Sequence, residues 1–332
     1  MVIMGEDKSS SAASMAFCEK PLRDMSVVVL TYNRPERLAH SLKKVALLEK
    51  AGIELIVVDN CSELSAQEIA DGVGVNAEVI RTEDNIGAAA RNLGIERARG
   101  EIIITLDDDV SGLTVDDCLN LQKMFQNDAS LGGLCFQVRD EVTDEQINWC
   151  HHRRIECWRN RSFETEEISE GAVAFRSTVV KEKGGLYPEE FFISHEGVVA
   201  AIRIMNQGYS VRYTPDVVVQ HATERTARVS WRRYYYDTRN TLWLCVGFLP
   251  FWYAVKLLTR STPTMLLYSV RDGYLRFWLK GVVDGLGGLG YFLKNREKPA
   301  KRTVQKLRDI QLYRPSVFYL IRRRLFRRGV RI

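Results

Sequence analysis

From Met25 onward, short runs of β-branched and aliphatic residues alternate with longer stretches in which apolar side chains recur at helical spacing. The runs Ser26–Thr31, Glu54–Asp59, Glu78–Arg81 and Ile102–Leu106 stand roughly 20 to 25 residues apart, which is βαβ spacing and predicts a parallel sheet. Near-continuous Val and Ile in SVVVLT, ELIVVD and EIIITLD mark strands covered on both faces by crossover helices. In such α/β sheets ligands gather outside the carboxyl ends of the strands. Those ends carry Thr31-Tyr32-Asn33-Arg34, Asp59-Asn60 and Asp107-Asp108-Asp109.

Further along, Leu131–Val138 and Ala172–Arg176 read as strands, and Leu119–Phe125 lies inside a helical stretch. A helix from about Ser194 to Gln207 stops at Gly208, and Tyr209–Tyr213 reads as a closing strand. Composition changes after His221, where aromatics and arginines mix. The expected organisation is a flexible tail over 1–24, an α/β domain over 25–222 and a basic helical segment over 223–332. The apolar run Leu242–Leu258 has 17 residues, contains Gly247, Pro250 and Lys256, and sits at the lower edge of bilayer-spanning length. It reads as a buried or interfacial helix pair.

At 332 residues, 45% hydrophobic and 27% charged, the chain is globular, which excludes disordered and collagen-like classes. Its net charge of +5 hides an asymmetry: residues 292–332 hold fourteen Lys and Arg against two Asp and Glu, a net +12 that leaves −7 for the rest. Seven scattered cysteines form no disulfide framework and point to a reducing compartment. The segment through Glu19 has no basic-then-apolar pattern of a secretory signal and reads as a frayed tail. Cys150-His151-His152 and Cys157 have no C-x-x-C spacing, so zinc is not expected there.

The turn after the first strand lacks the glycines of G-x-G-x-x-G, and the chain contains no G-x-x-x-x-G-K-[ST], so neither a Rossmann dehydrogenase nor a P-loop enzyme is expected. Three carboxylates after Ile102–Leu106 repel one another unless a cation joins them. Along an extended chain Asp107 and Asp109 point to one side. Oxygen donors suit Mg²⁺ or Mn²⁺, which bind through one or two carboxylates plus substrate phosphates. A solvated turn capping the next helix is the plainer alternative.

With these residues in order, the chain resembles the inverting family 2 glycosyltransferases with the GT-A fold, particularly bacterial enzymes that build surface polysaccharides. SVVVLTYNRPERL, IVVDNCS and NIGAAARNLGIERARGEIIITLDDDV carry the likeness over about Ser26 to Tyr213. The resemblance implies an α/β GT-A fold in which Thr31, Tyr32 and Arg34 line the base and ribose pocket and Asp59 meets the nucleobase edge. It places Arg91 near the nucleotide, Asp107 and Asp108 at the donor, and Asp109 as principal ligand of Mg²⁺ or Mn²⁺, with Asp107 and His221 beside it. Taken singly, Asn33 also serves as an N-cap, Asp59 as a turn residue and Arg91 as a helix-surface ion pair.

Displacement at an anomeric carbon requires a stabilised diphosphate leaving group and a base for the acceptor hydroxyl. In the family that base comes from F-F-x-x-x-E-D-x-D-L-x-x-R at a helix start; here the stretch runs from Phe191 to Arg203. Gly197 and Val199 replace two of its acids, leaving Glu196 as the motif's carboxylate and catalytic candidate, with His195 assisting. Glu170-Gly171-Ala172 resembles the acceptor-side segment, where glycine permits close backbone approach to a sugar.

The implied activity is transfer of a sugar from a nucleoside diphosphate sugar to a glycan or lipid-linked acceptor in cell-surface polysaccharide synthesis. The replaced acids leave a catalytically impaired nucleotide-sugar-binding pseudoenzyme as the alternative. Aromatic and aliphatic residues among the arginines of the C-terminus imply an anionic membrane surface as partner, hence a cytoplasmic protein peripheral at the inner face of the membrane. Nucleic acid is not expected, since the body of the chain is acidic.

Overall fold

The computed structural model describes residues 22–181, 185–222, 230–316 and 319. The tail 1–21, the boundary read at 223, and Arg322, Arg323, Arg324, Arg327 and Arg328 lie outside the described residues.

The expected βαβ alternation is present: β1 (Met25–Thr31), α1 (Pro35–Lys50), β2 (Glu54–Asp59), α2 (Ala66–Val73), β3 (Glu78–Arg81), α3 (Arg91–Arg97) and β4 (Ile102–Asp107). Pro35 opens α1, where its fixed φ suits the first turn. Ser65 caps α2 by accepting from the Gln67 N–H. The chain continues through β5 (Val110–Ser111), α4 (Val115–Asn127), β6 (Leu131–Asp140), α5 (Ile155–Trp158), β7 (Phe163–Glu164), β8 (Ala172–Arg176), α6 (Ser177–Val180), α7 (Glu196–Asn206) and β9 (Ser210–His221). Four helices follow: α8 (Trp231–Gly247), α9 (Phe251–Arg271), α10 (Leu275–Lys294) and α11 (Lys301–Gln311).

The sheet runs β3-β2-β1-β4-β8-β6-β9-β5, with β7 also on β9. Its β3-β2-β1-β4 half is wholly parallel. Beyond β4 directions mix: β8 is antiparallel to β4 and β6, β6 is parallel to β9, and β5 and β7 lie antiparallel on β9. The closing strand extends past the expected Tyr213 to His221, because its second half pairs with the end of β6 and with β5.

Period-two alternation divides the valines of β1 between two cores. Val27 and Val29 face Leu38, Leu42 and Phe125 beneath α1 and α4, whereas Val28 joins Ile56, Ile95 and Ile103 on the other face. That second core continues without a break through Val199 and Ile202 into Trp243, Phe248, Phe292 and Leu307 of the C-terminal part. The run Leu242–Leu258 is divided between α8 and α9 at Pro250, with Leu244, Leu249 and Tyr253 buried. It is a helix pair whose first member is largely buried and whose second exposes Phe251 and Val255, and among the described residues no helix is long and apolar enough to cross a membrane.

Candidate active site

The carboxyl ends of β1 and β2 border a cavity of about 340 Å³ lined by Thr31, Asn33, Arg34, Ser62 and Glu63 among others. Tyr32 is exposed beside Thr31. Asp59 does not face this space. Its carboxylate is 0% exposed and accepts from the Ser62 N–H at 2.8 Å, the Ala66 N–H at 3.2 Å and Arg81 Nη1 at 3.2 Å. It ties the loop after β2 to the start of α2, which satisfies a buried charge. Asn60, given no role from sequence, links that loop to the 85–87 turn: it donates to Asn85 Oδ1 and the Gly87 carbonyl and accepts from the Ile86 N–H.

The acidic run is not extended. β4 ends at Asp107 and the chain turns through Asp108 and Asp109 into β5, so the same-side expectation for Asp107 and Asp109 fails and the three carboxylates find separate partners. Asp107 pairs with Arg91. Asp108 is buried, accepting from Thr31 Oγ1 at 2.9 Å and Arg34 Nη1 at 3.2 Å. Burial pushes its carboxyl up to about 6, against the Arg34 charge. Thr31 and Asp108 thus brace the floor of the site.

Asp109 lies 2.9 Å from Arg34 Nη1 and 3.3 Å from His221 Nε2. The pairing of β5 with β9 sets Val110 opposite His221, and the Ala222 N–H donates to the Asp109 carbonyl, which fixes the imidazole beside this carboxylate. Burial opposes ionisation of Asp109, yet the hydrogen bond and charge of His221 and the charge of Arg34 hold it below the ordinary carboxylate range. Reciprocally, burial depresses His221 but Asp109 raises it. Among the described residues no three His, Cys, Asp or Glu side chains converge to hold an ion alone. Asp109 and His221 supply one oxygen and one nitrogen, a set that suits Mg²⁺ or Mn²⁺ when substrate phosphates complete the coordination.

On the acceptor side, α8 shapes the start of α7. Phe192, Ser194 and His195 have positive φ values of 63°, 81° and 68°, uncommon for residues with a Cβ. Asn240 donates to the carbonyls of Phe191, Ile193 and Ser194 at 2.8 to 2.9 Å, and Asp237 accepts from Ser194 Oγ at 2.6 Å. These bonds hold the strained loop that presents Glu196. His195 Nε2 lies 2.9 Å from Thr241 Oγ1, and burial lowers its pKa. That nitrogen of the ring is thus engaged by α8.

Glu196 is 5% exposed, and Oε2 has no hydrogen-bond partner among the described residues. Burial, then the charge of Glu170, pushes its carboxyl up. Glu170, just before β8, is also raised by burial, with Arg91 opposing. Arg91, 6% exposed, is raised despite burial by Asp107, Tyr187, Glu170 and Glu196. From sequence Glu170 stands only in the acceptor-side segment; the signal that points to it is glycine at position 197, where the resembled family carries an acid. A Cβ at Gly197 would overlap the Glu170 carboxylate and the Ile168 carbonyl, and one at Gly171 would overlap the Asp107 carboxylate. Gly197→Ala is therefore expected to lose about 1–3 kcal/mol of stability by overpacking, measurable by urea unfolding.

The raised glutamates also fix a pH dependence. A carboxyl whose folded pKa exceeds its unfolded value favours the fold at low pH, and that stability is lost as pH rises through the folded pKa. Unfolding free energy should fall between about pH 5 and about pH 8, and Glu196→Gln should flatten the fall by roughly 1–2 kcal/mol. Denaturant titrations of both proteins across that range check this; identical slopes would refute it.

Residues 26–182 match the family model described as glycosyl transferase family 2. The glycosyltransferase AglE of Haloferax volcanii is 25% identical over 317 residues, 82% of this chain and 98% of that protein. The dTDP-rhamnosyl transferase RfbF of Shigella flexneri is 25% identical over 270 residues, covering 74% and 83%. Among solved structures, S. aureus TarS 1–349 in complex with UDP-GlcNAc aligns with a TM-score of 0.55 at 18% identity, covering 87% of this chain and 89% of that one. The Pyrobaculum calidifontis mannosyltransferase PcManGT, in complex with GDP-Man and Mn²⁺, aligns with a TM-score of 0.51 at 17% identity, covering 90% and 83%. Residues 26–182 thus match glycosyl transferase family 2, and the chain is a glycosyltransferase with the α/β GT-A fold.

Proposed function

We propose that this enzyme transfers a sugar, with inversion and with Mg²⁺ or Mn²⁺, from a nucleoside diphosphate sugar to a glycan or lipid-linked acceptor in cell-surface polysaccharide synthesis. The observation that carries the reading is the meeting of Asp109 and His221 at the rim of the sheet, beside the cavity at Thr31 and Arg34. A bound divalent ion supplies charge neutralisation for the departing diphosphate. Asp109 and His221 would hold it, and Arg34, whose pKa the aspartates raise against burial, adds a guanidinium suited to phosphate oxygens. Arg91 keeps Asp107 oriented from beneath. Tyr32 borders the base, Gly171 and Ala172 bring bare backbone to the acceptor side, and the base is drawn from Glu196 and its neighbour Glu170.

Calorimetry of UDP, GDP and dTDP with and without Mn²⁺ tests the reading. Metal-dependent binding of at least one is expected; none would overturn it. Tight binding with neither transfer nor hydrolysis of the donor would favour the impaired, nucleotide-sugar-binding alternative.

We further propose that the enzyme works at the cytoplasmic face of a membrane. Leu279, Val283, Leu286 and Leu293 are exposed along α10, accompanied by exposed Arg276, Lys280 and Lys294. Leucines beside basic residues suit an anionic lipid surface. Flotation with anionic vesicles should retain the protein and zwitterionic vesicles should not, with binding weakened by salt and by Leu286→Glu; equal retention on both vesicle types would refute it.

A further inference from the structure

We propose that Glu170 is the proton acceptor of the transfer, occupying space that glycine at position 197 leaves open. This inference rests on the transferase reading above and names the base within that site.

Four observations lead to it. Glu170 stands where the side chain of residue 197 would begin, since a Cβ at Gly197 would overlap Glu170 Oε1. Its backbone is fixed at the mouth: Thr105 Oγ1 donates to the Glu170 carbonyl at 2.6 Å, and Ala172, two residues on, pairs with Leu106 of β4. The exposures differ in the sense catalysis requires. Glu196 is almost fully enclosed, whereas Glu170 keeps part of its surface open at the end of β4, beside the glycine that faces Asp107. A base must come within hydrogen-bond reach of the hydroxyl it deprotonates, so the partly open carboxylate is the one an acceptor can meet.

The pair divides the labour. The Glu170 charge raises the carboxyl of Glu196, so the more buried Glu196 holds its proton the longer, while Glu170, nearer water and favoured by the Arg91 charge, gives its proton up first. In the transfer, the acceptor O–H gives its proton to the Glu170 carboxylate as its oxygen bonds to the anomeric carbon. The bond from that carbon to the diphosphate oxygen breaks, and its electron pair leaves on the nucleoside diphosphate. Glu170 later returns the proton to solvent. Glu196 acts as a positioning residue that keeps the charge of the pair at one.

The test uses the whole chain with Mn²⁺ and a panel of UDP-, GDP- and dTDP-sugars, water serving as acceptor and released nucleoside diphosphate as readout. Glu170→Gln should lower turnover about a hundredfold or more, with the Kd for the nucleoside diphosphate within about twofold of wild type. Glu170→Asp, which retracts the carboxylate by one methylene, should fall between the two at the same Kd. Glu196→Gln, a neutral mimic of the protonated acid, should lose less than about tenfold. The assignment is overturned if Glu170→Gln keeps turnover within about threefold of wild type, if it loses nucleotide binding as far as it loses turnover, or if the wild type hydrolyses none of the donors it binds. Failure of the wild type to bind any nucleoside diphosphate would instead sink the transferase reading itself.

Discussion

Asp109→Asn is expected to weaken Mn²⁺-dependent binding of a nucleoside diphosphate by about a hundredfold or more while leaving the fold intact. Asp109 and His221 are the two protein donors that meet at the proposed ion, so replacing the charged one removes half of the protein's contribution. Each tenfold corresponds to about 1.4 kcal/mol, and loss of a charge-assisted contact to a dication readily exceeds twice that. The amide keeps the shape of the carboxylate, and Arg34, half exposed, retains Asp108 as a partner, so stability should change by less than about 1 kcal/mol. Calorimetry with and without Mn²⁺, alongside thermal unfolding, separates the two effects. Unchanged metal-dependent affinity would move the ion away from Asp109.

The largest stability effect should come from Arg91→Met. The guanidinium is 6% exposed, pairs with Asp107 and carries a positive charge that bears on both Glu170 and Glu196. Its loss leaves Glu170 and Glu196 without that charge and should cost about 2–3 kcal/mol, less than for a fully buried pair because Asp107 is 38% exposed and partly solvated. Arg91→Lys should recover only part of this, because an ammonium cannot reproduce the planar fork of a guanidinium. Without the arginine, Glu170 and Glu196 remain protonated to still higher pH. The deficit should therefore shrink on acidification from about pH 8 towards about pH 5, as the carboxyls lose their charge. Urea unfolding at both values measures it; a loss below about 1 kcal/mol at pH 8 would mean the cluster is solvated well enough to need no cation.

Much of the fold was legible in the sequence. β2, β3 and β8 have the bounds read from the apolar runs, and β1 and β4 differ by one residue at one end. These runs are legible because burial on both faces imposes the same demand on every residue of a strand. The two-residue strands β5 and β7 were missed; two residues have no period, and both exist only because β9 offers them an edge. The expected separation of the C-terminal part was only local as well. Its composition changes, yet Trp243, Phe248 and Phe292 complete the core that begins at Val28.

For the site, sequence order located the mouth of the sheet but not the direction of each side chain. Asp59, Asp108 and His195 occupy the expected region and are tied there to protein partners, because a buried charge or ring seeks hydrogen bonds wherever the fold provides them. The partners lie far along the chain: Thr31 and Asp108 are 77 residues apart, and His195 and Thr241 are 46. Glu170 drew attention only as part of a glycine segment, since its relation to Gly197 exists in space alone.

What the sequence determined by itself was the alternation of strands and helices, the gathering of polar residues at the strands' carboxyl ends and the resemblance to sugar transferases, all carried by local patterns and their order. The tertiary structure decided which of those polar groups brace the site and which meet at its open side. That choice depends on burial and on charged partners brought from distant strands and helices. Gly197 makes the reason plain: its small size has meaning only because Glu170, twenty-seven residues earlier, folds back into the space it leaves.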